Sequence, residues 1–319
     1  MKAARILVGL TICGAILYWW TIIFTAKHGN SLNHTSSPYI PHAERDTIGQ
    51  RIWENFNWQN VSGEWVSIIN KRNHMMQDRC GSLKKAPSGR LERRRWILVD
   101  DRNKFILCPL FKAASRNWRL VYQVISGHLN ISGEQDIFNR RPDGFAYTRL
   151  DSYDDINIKK RLATYLKVLV VRHPMERIIS AYKDQVLGLL GPQIKLYLNK
   201  HYPKQIEHKI GFADFLRFIV DKKATNSHWA LVQDFCLPCH VMYDVIVHHE
   251  DLDTDAMNVI RLLGVEDIVP QFPSSHFTSN NPNQSLIYTY YNSIDRKLVE
   301  KVWKIYKEDA SFFGYTLEL

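Results

Sequence analysis

Residues 165–171, with the sequence YLKVLVV, form the nearly continuous apolar run that most constrains the fold. Such a run is typical of a strand buried on both faces of a parallel sheet. His173 and Pro174 follow it, and Pro174 suits the first turn of a helix whose apolar face continues through residues 176–186. The sequence therefore predicts a buried strand that ends on Arg172 and leads directly into a helix.

A second strand-to-helix junction is predicted upstream. The β-rich runs at residues 96–99 and 105–107 precede a loop and then a helical stretch that extends to Ser126. The loop carries Lys112 and small residues, which let backbone N–H groups approach an anion at the helix N-terminus. Ligands of open α/β sheets bind beyond the carboxyl ends of the strands, where Arg172 would offer a planar fork to phosphate. An arginine that merely caps a surface junction is the alternative.

The pattern of strands and intervening helices predicts an α/β domain with a mostly parallel sheet. Neither G-x-x-x-x-G-K-[ST] nor G-x-G-x-x-G occurs in the chain, so a standard nucleotide P-loop or dinucleotide fold lacks its signature. The formal net charge of +10 favours an acidic partner, such as nucleic acid, anionic lipid or a polyanionic glycan. Charge alone does not distinguish these partners.

The N-terminal region predicts a membrane anchor. Residues 6–26 contain no charged side chain over 21 positions, which is long enough to cross a hydrocarbon core of roughly 30 Å. We expect a type II signal anchor, with residues 1–5 as a cytosolic tail, residues 27–50 as a luminal stem and residues 51–319 as the luminal domain. A cleaved signal peptide is the alternative, although its apolar core usually spans only about 7–15 residues.

Two further features agree with a lumen. Glycosylation acceptor motifs occur at Asn33, Asn60, Asn130 and Asn283. Beyond the predicted span, the cysteines are Cys80, Cys108, Cys236 and Cys239. This even number predicts structural disulfides in an oxidising compartment, but the sequence leaves their connectivity open. A redox role or half of a zinc ribbon at the last two cysteines is the alternative, and no second C-x-x-C is present to complete a ribbon.

Together these segments resemble the membrane-bound carbohydrate sulfotransferases, especially the branch of chondroitin and dermatan 4-O-sulfotransferases, from about Cys80 to the C-terminus. The residues that match the family's loop for the 5′-phosphosulfate are Phe111, Lys112, Ala113, Ala114, Ser115, Arg116, Asn117 and Trp118. The residues that match its 3′-phosphate element are Arg172, His173, Pro174, Met175, Glu176, Arg177, Ile178, Ile179, Ser180, Ala181 and Tyr182. Further agreement comes from His228, Trp229, Cys236, Cys239, Tyr243, Asp244, Glu250, Asp251 and Leu252.

The resemblance implies a P-loop-like sulfotransferase fold and a Golgi protein with its catalytic domain in the lumen. It implies transfer of a sulfuryl group from 3′-phosphoadenosine 5′-phosphosulfate to a hydroxyl of a glycan, without a metal. The expected acceptor is a glycosaminoglycan of the chondroitin or dermatan type, or a related chain that contains N-acetylgalactosamine. Nucleic acid is not expected as a partner.

The same resemblance suggests roles for individual side chains. Lys112 would neutralise charge on the leaving oxygen, and His228 would take the proton from the acceptor hydroxyl. Packing or hydrogen bonding within its own loop is the alternative role for His228. Glu176 is the next choice of base, and His173 and Asp101 are weaker ones.

Two departures from the family's loop keep other classes open. Phe111 stands where the family has proline, and Arg116 stands where it has threonine. A luminal member of the same fold that binds glycans without catalysis is therefore the main alternative. A different nucleotide-using transferase or kinase is the other, and it would be expected to show a Walker lysine or a clear metal-binding carboxylate pair.

Overall fold

The computed structural model describes residues 54–83, 91–130, 147–202, 210–223, 225–273 and 286–317. One sheet of four strands lies at the centre of these residues, in the spatial order β1-β2-β3-β4. The strands are β1 (Leu98–Asp100), β2 (Phe105–Cys108), β3 (Leu166–Val171) and β4 (Val245–His248). The β1 and β2 strands are antiparallel, whereas β2, β3 and β4 run parallel. The predicted α/β class with a mostly parallel sheet is confirmed.

The β3 strand occupies an inner position of the sheet, and all six of its residues are buried. Its one charged side chain, Lys167, is buried too, and its ammonium lies 2.8 Å from the carboxylate of Asp244. In the register of the sheet, Leu169 lies beside Cys108 on one side, and Val171 lies beside His248 on the other. The three parallel strands therefore end at one edge, which places both predicted junctions together.

Eleven α-helices surround the sheet in the described part of the chain. They are α1 (Gly63–Ser82), α2 (Ser115–Ile125), α3 (Asp155–Thr164), α4 (Pro174–Ala181), α5 (Gly191–His201), α6 (Phe212–Lys222), α7 (Val232–Phe235), α8 (Pro238–Val241), α9 (Leu252–Leu263), α10 (Leu286–Tyr291) and α11 (Arg296–Phe312). Short 3-10 helices occupy Trp58–Asn60, Leu91–Trp96, Leu150–Ser152 and His249–Asp251.

The helix predicted after Arg172 is confirmed, but it changes from an α-helix to a π-helix along its length. It begins at Pro174, as expected for a proline in a first helical turn, and α4 ends at Ala181. A π-helical turn, Tyr182–Val186, then continues it. Such turns are rare and occur often at functional sites.

Two hydrophobic clusters form the interior. The first surrounds the sheet and includes Trp118 and Tyr122, which α2 buries against the strands. The second consists mainly of helices and includes Ile178 of α4, Phe215 of α6 and Tyr306 of α11. Ala113 of the Lys112 loop belongs to the first cluster, and most of the buried residues of α4 belong to the second. The carboxyl edge of the sheet therefore adjoins both clusters.

Two disulfides resolve the connectivity that the sequence left open. Cys80 pairs with Cys239, and Cys108 pairs with Cys236. Because Cys108 is the last residue of β2, the second bridge fixes the chain directly before the Lys112 loop.

The predicted membrane span at residues 6–26 lies outside the described residues. Among the residues that are described, no helix has the length and apolar character needed to cross a membrane.

Candidate active site at the carboxyl edge of the sheet

The loop between β2 and α2 has a backbone shape that suits an anion. Lys112 and Ala114 both adopt left-handed conformations, with φ of 69° and 55°, although neither is glycine. Such conformations cost of order 1 kcal/mol or more each and persist where the surrounding structure requires them. Ala114 is also the N-cap of α2, and it offers no side-chain acceptor to the first N–H groups of that helix. These amides are therefore available to an anionic ligand.

The first turn of α2 has the charge expected of an anion site. It contains no acidic residue, and it carries the exposed Arg116 beside the half-exposed Ser115. A cation is unfavourable at the positive end of a helix dipole unless an anion lies nearby. Behind it, the Asn117 amide donates a hydrogen bond to the carbonyl of Pro273, and the buried Ala113 anchors the loop in the core.

The second junction is capped by its own residues. The Nδ1 atom of His173 accepts a hydrogen bond from the Met175 backbone N–H at 3.2 Å, and its Nε2 atom donates to the carbonyl of Thr316 at 2.8 Å. The carboxylate of Glu250 accepts from the His173 backbone N–H at 3.1 Å. The Nδ1 contact makes His173 the N-cap of α4, and the Nε2 contact holds its ring in place.

Arg172 joins the two junctions. Its Nε and Nη2 atoms both lie 2.9 Å from one carboxylate oxygen of Glu176, one turn along α4. Its Nη1 atom donates to the backbone carbonyl of Lys112 at 3.4 Å. The guanidinium therefore connects the end of β3 to the loop that follows β2. These are the two segments that the sequence predicts to contact the two phosphates of the donor.

The remaining predicted residues of the second junction are mostly buried. The side chains of Pro174, Met175, Ile178 and Ile179 are enclosed in the core, so they support the helix. Ser180 lies in the last turn of α4 and is half-exposed.

Arg177 lies inside the protein, with only 1% of its surface exposed. Its Nε atom donates to the Phe111 carbonyl at 3.3 Å, and its Nη2 atom donates to the Ala230 carbonyl at 3.1 Å. Burial lowers the pKa of this guanidinium, and the nearby Asp309 carboxylate counteracts that effect. Arg177 thus links the Lys112 loop to the turn that carries His228.

His228 lies against the Lys112 loop, with its ring centroid 4.7 Å from that of Phe111. Burial, followed by the neighbouring Lys112 cation, lowers the pKa of His228 to about 4. Its Nδ1 atom is buried without a hydrogen-bond partner among the described residues. The imidazole is therefore neutral at physiological pH, as a proton acceptor must be.

Phe111, which departs from the family's loop, packs between charged and aromatic groups. The guanidinium of Arg119 lies 4.5 Å from the centre of its ring, within the range of a cation–π contact. Trp96 and Phe235 meet the same ring edge-on. The aromatic ring at this position thus builds the wall on which His228 rests.

The structure adds three residues that the sequence reasoning missed. Asp184 accepts a hydrogen bond from the Lys112 ammonium at 2.5 Å. The second is Arg119, whose cation helps to lower the pKa of His228. The third is His249, whose pKa is lowered to about 3 by burial and then by the cation of Arg172. A spacing signal existed for the first two, because Asp184 follows Ser180 by four residues and Arg119 follows Ser115 by four.

The junctions that carry Lys112 and Arg172 thus meet at the carboxyl edge of a mostly parallel α/β sheet, which is where such sheets bind their ligands. The sequence model of the Sulfotransferase family matches residues 95–316, which is more than half of the chain. The chain therefore belongs to this family.

Several curated proteins are similar to the chain. Carbohydrate sulfotransferase 10 of Danio rerio is 26% identical over 243 residues, which is 69% of this chain and 66% of that protein. The Homo sapiens protein of the same name is 28% identical over 241 residues, with the same two shares. Carbohydrate sulfotransferase 11 of Rattus norvegicus is 27% identical over 238 residues, which is 69% of this chain and 67% of that protein. The match thus spans about 66% of the length of the first relatives. No solved structure matches the chain.

Proposed function

We propose that this protein is a carbohydrate O-sulfotransferase that uses 3′-phosphoadenosine 5′-phosphosulfate as its donor. The observation that carries the proposal is the contact between the two junctions, in which the Arg172 guanidinium reaches the carbonyl of Lys112. A donor with a phosphate at each end of its ribose needs two anion sites within one ligand length. Family membership and the names of the relatives support the same reaction class.

The donor fits the residues present at the edge of the sheet. The uncapped N–H groups of α2, together with Lys112, would hold the 5′-phosphosulfate, and Arg172 with Ser180 would hold the 3′-phosphate. The remaining loop and α4 residues position these groups through their backbones and through packing. The donor supplies an activated sulfuryl group on a phosphate leaving group.

Catalysis then needs positioning, charge neutralisation and a proton acceptor. We propose that Lys112 neutralises the negative charge that grows on the departing phosphate oxygen, since its ammonium belongs to the loop that would bind the phosphosulfate. We assign His228 to the acceptor proton because its imidazole is neutral and adjoins the same loop. Glu176 is a weaker choice of base, since its carboxylate is paired with Arg172.

The acceptor we propose is a glycosaminoglycan of the chondroitin or dermatan type, or a related chain with N-acetylgalactosamine. The net charge of +10 supports a polyanionic glycan. We further propose a type II Golgi membrane protein with the domain in the lumen. The two disulfides support an oxidising compartment. The asparagines of two glycosylation motifs, Asn60 and Asn130, are exposed, as luminal glycosylation requires.

The direct test offers radiolabelled donor to the purified protein with a panel of desulfated glycosaminoglycans and neutral glycans. Transfer of label to a galactosaminoglycan is the expected result, with ATP unable to compete for the donor site. Binding of adenosine 3′,5′-bisphosphate without transfer to any glycan would favour the binding-only alternative. Competition by ATP would favour a nucleotide-using transferase of another kind.

A further inference from the structure

Asp184 forms an ion pair with Lys112. It lies in the π-helical turn Tyr182–Val186, and its carboxylate accepts from the Lys112 ammonium at 2.5 Å. The Lys112 side chain is 12% exposed, whereas that of Asp184 is 51% exposed. The lysine is therefore mostly enclosed, and the carboxylate holds it from the solvent side.

The carboxylate is also an electrostatic neighbour of His228. Partial burial by itself raises the pKa of Asp184, but hydrogen bonds from Lys112 and Gln185 outweigh it, and the pKa is lowered overall. Asp184 is thus an anion at neutral pH. Glu176 lies near the same edge and is neutralised by Arg172.

This charge has opposite consequences for the donor and for His228. An anionic donor must compete with Asp184 for the Lys112 ammonium, and the two anions repel each other, so the carboxylate weakens donor binding. Once the donor has taken Lys112, the carboxylate loses its main partner, and its charge still acts on His228. A nearby anion stabilises the imidazolium that forms when His228 accepts a proton.

We propose that Asp184 is a positioning residue that exchanges its partner, holding Lys112 before the donor binds and stabilising protonated His228 afterwards. This inference rests on the proposed sulfotransferase function. In the transfer, a bond forms between the acceptor oxygen and sulfur, and the bond from sulfur to the phosphate oxygen breaks. The hydroxyl proton passes to His228, and the electron pair leaves with the phosphate that Lys112 neutralises. The substrate does not need to touch Asp184 at any point.

The test compares Asp184→Asn with the parent protein by calorimetric titration of adenosine 3′,5′-bisphosphate and by steady-state kinetics. We expect the bisphosphate to bind roughly threefold to tenfold more tightly, because a competing anion is removed. We expect kcat to fall by about tenfold, with the acid limb of its pH profile displaced to lower pH, because the imidazolium loses a stabilising charge. A residue that merely supports the fold would not tighten the binding of an anion.

Two control variants separate the charge from its location. Glu300→Gln removes the same charge from α11, where Glu300 pairs with the exposed Arg296 at 3.2 Å, and it should change neither quantity. Asp184→Glu keeps the charge and should retain parent affinity and most of the turnover. Unchanged or weaker bisphosphate binding by a folded Asp184→Asn protein would overturn the inference while the proposed function stands. Failure of the parent itself to bind the bisphosphate would overturn both.

Discussion

The two strand-to-helix junctions share one topology but satisfy their helix ends in different ways. After β2, the chain takes left-handed conformations at Lys112 and Ala114 and leaves the first N–H groups of α2 without a side-chain cap. After β3, His173 caps α4, and an acidic residue, Glu176, complements the first turn. One helix end therefore remains open to an anion, and the other is already occupied.

The difference indicates how each junction would recognise phosphate. The first offers backbone amides and an ammonium, at the expense of local backbone strain. The second offers mainly one guanidinium, which Glu176 already orients. Removal of a cationic side chain at the first junction should therefore lower the rate of sulfuryl transfer. Removal of the cationic side chain at the second should lower donor affinity alone. The predictions below test this division.

The largest expected effect is on turnover at the first junction. Lys112→Ala should lower kcat by about 10²–10³-fold and also weaken donor binding, because the lost charge meets the phosphosulfate before and during transfer. Initial rates with labelled donor measure both quantities. Lys222→Ala is the matched control and should behave as the parent, because it removes a lysine of α6 that packs over the ring of Tyr197 on α5. A Lys112→Ala protein with parent kcat would remove this loop from the chemistry.

At the second junction we expect a change in affinity instead. Arg172→Ala should raise the dissociation constant for adenosine 3′,5′-bisphosphate roughly tenfold or more, since a charge-assisted contact contributes about 1.5–3 kcal/mol. Calorimetry measures the constant, and circular dichroism verifies the fold. Equal affinity in a folded variant would show that Arg172 only fastens the two loops to each other.

The pH profile tests whether His228 belongs to the first junction. Because burial and then Lys112 lower its pKa to about 4, its neutral form persists well below the ordinary value of 6.5. The acid limb of kcat/KM, which reports the free enzyme, should therefore lie near pH 4. At pH 5.5 a histidine with the ordinary pKa would keep only about a tenth of its neutral form. A limb near pH 6.5, measured where the protein remains folded, would assign the proton to another group.

The smallest effect concerns the backbone strain itself. Ala114→Gly should raise the free energy of unfolding by up to about 1 kcal/mol, because glycine adopts the left-handed conformation of this residue without steric cost. Ala113→Gly is the control, since Ala113 is buried and is not left-handed, and it should destabilise the protein. Urea unfolding measures both changes. Destabilisation of the same size in the two variants would contradict the assignment of strain to Ala114.

Local patterns in the sequence were sufficient for the central elements of the fold. The apolar run at residues 165–171 contains β3, and the helical stretch predicted to extend to Ser126 contains α2. The proline after His173 marked the start of α4 correctly. These predictions succeed because a buried strand and an amphipathic helix each depend on residues close together in the chain.

The composition of the candidate site was predictable only in part. Lys112 and Arg172 were identified from their places at the ends of strands, and the structure brings them together. Arg177 was predicted among the donor-binding residues, but the fold places it inside, where it links two loops. The sequence pattern records the helix on which a side chain lies, yet it does not record what packs against that helix.

The sequence by itself determined β1, β2 and β3, the helices that follow β2 and β3, and the two cationic junctions, since these follow from local hydrophobic periodicity and helix-start signals. Only the tertiary structure decided the disulfide pairing, the stacking of His228 on Phe111 and the ion pair between Lys112 and Asp184. Lys112 and Asp184 are 72 residues apart in the chain. Their contact depends on how α4 and its π-helical turn pack beside the β2 loop, and that packing is a property of the whole folded chain rather than of any one segment.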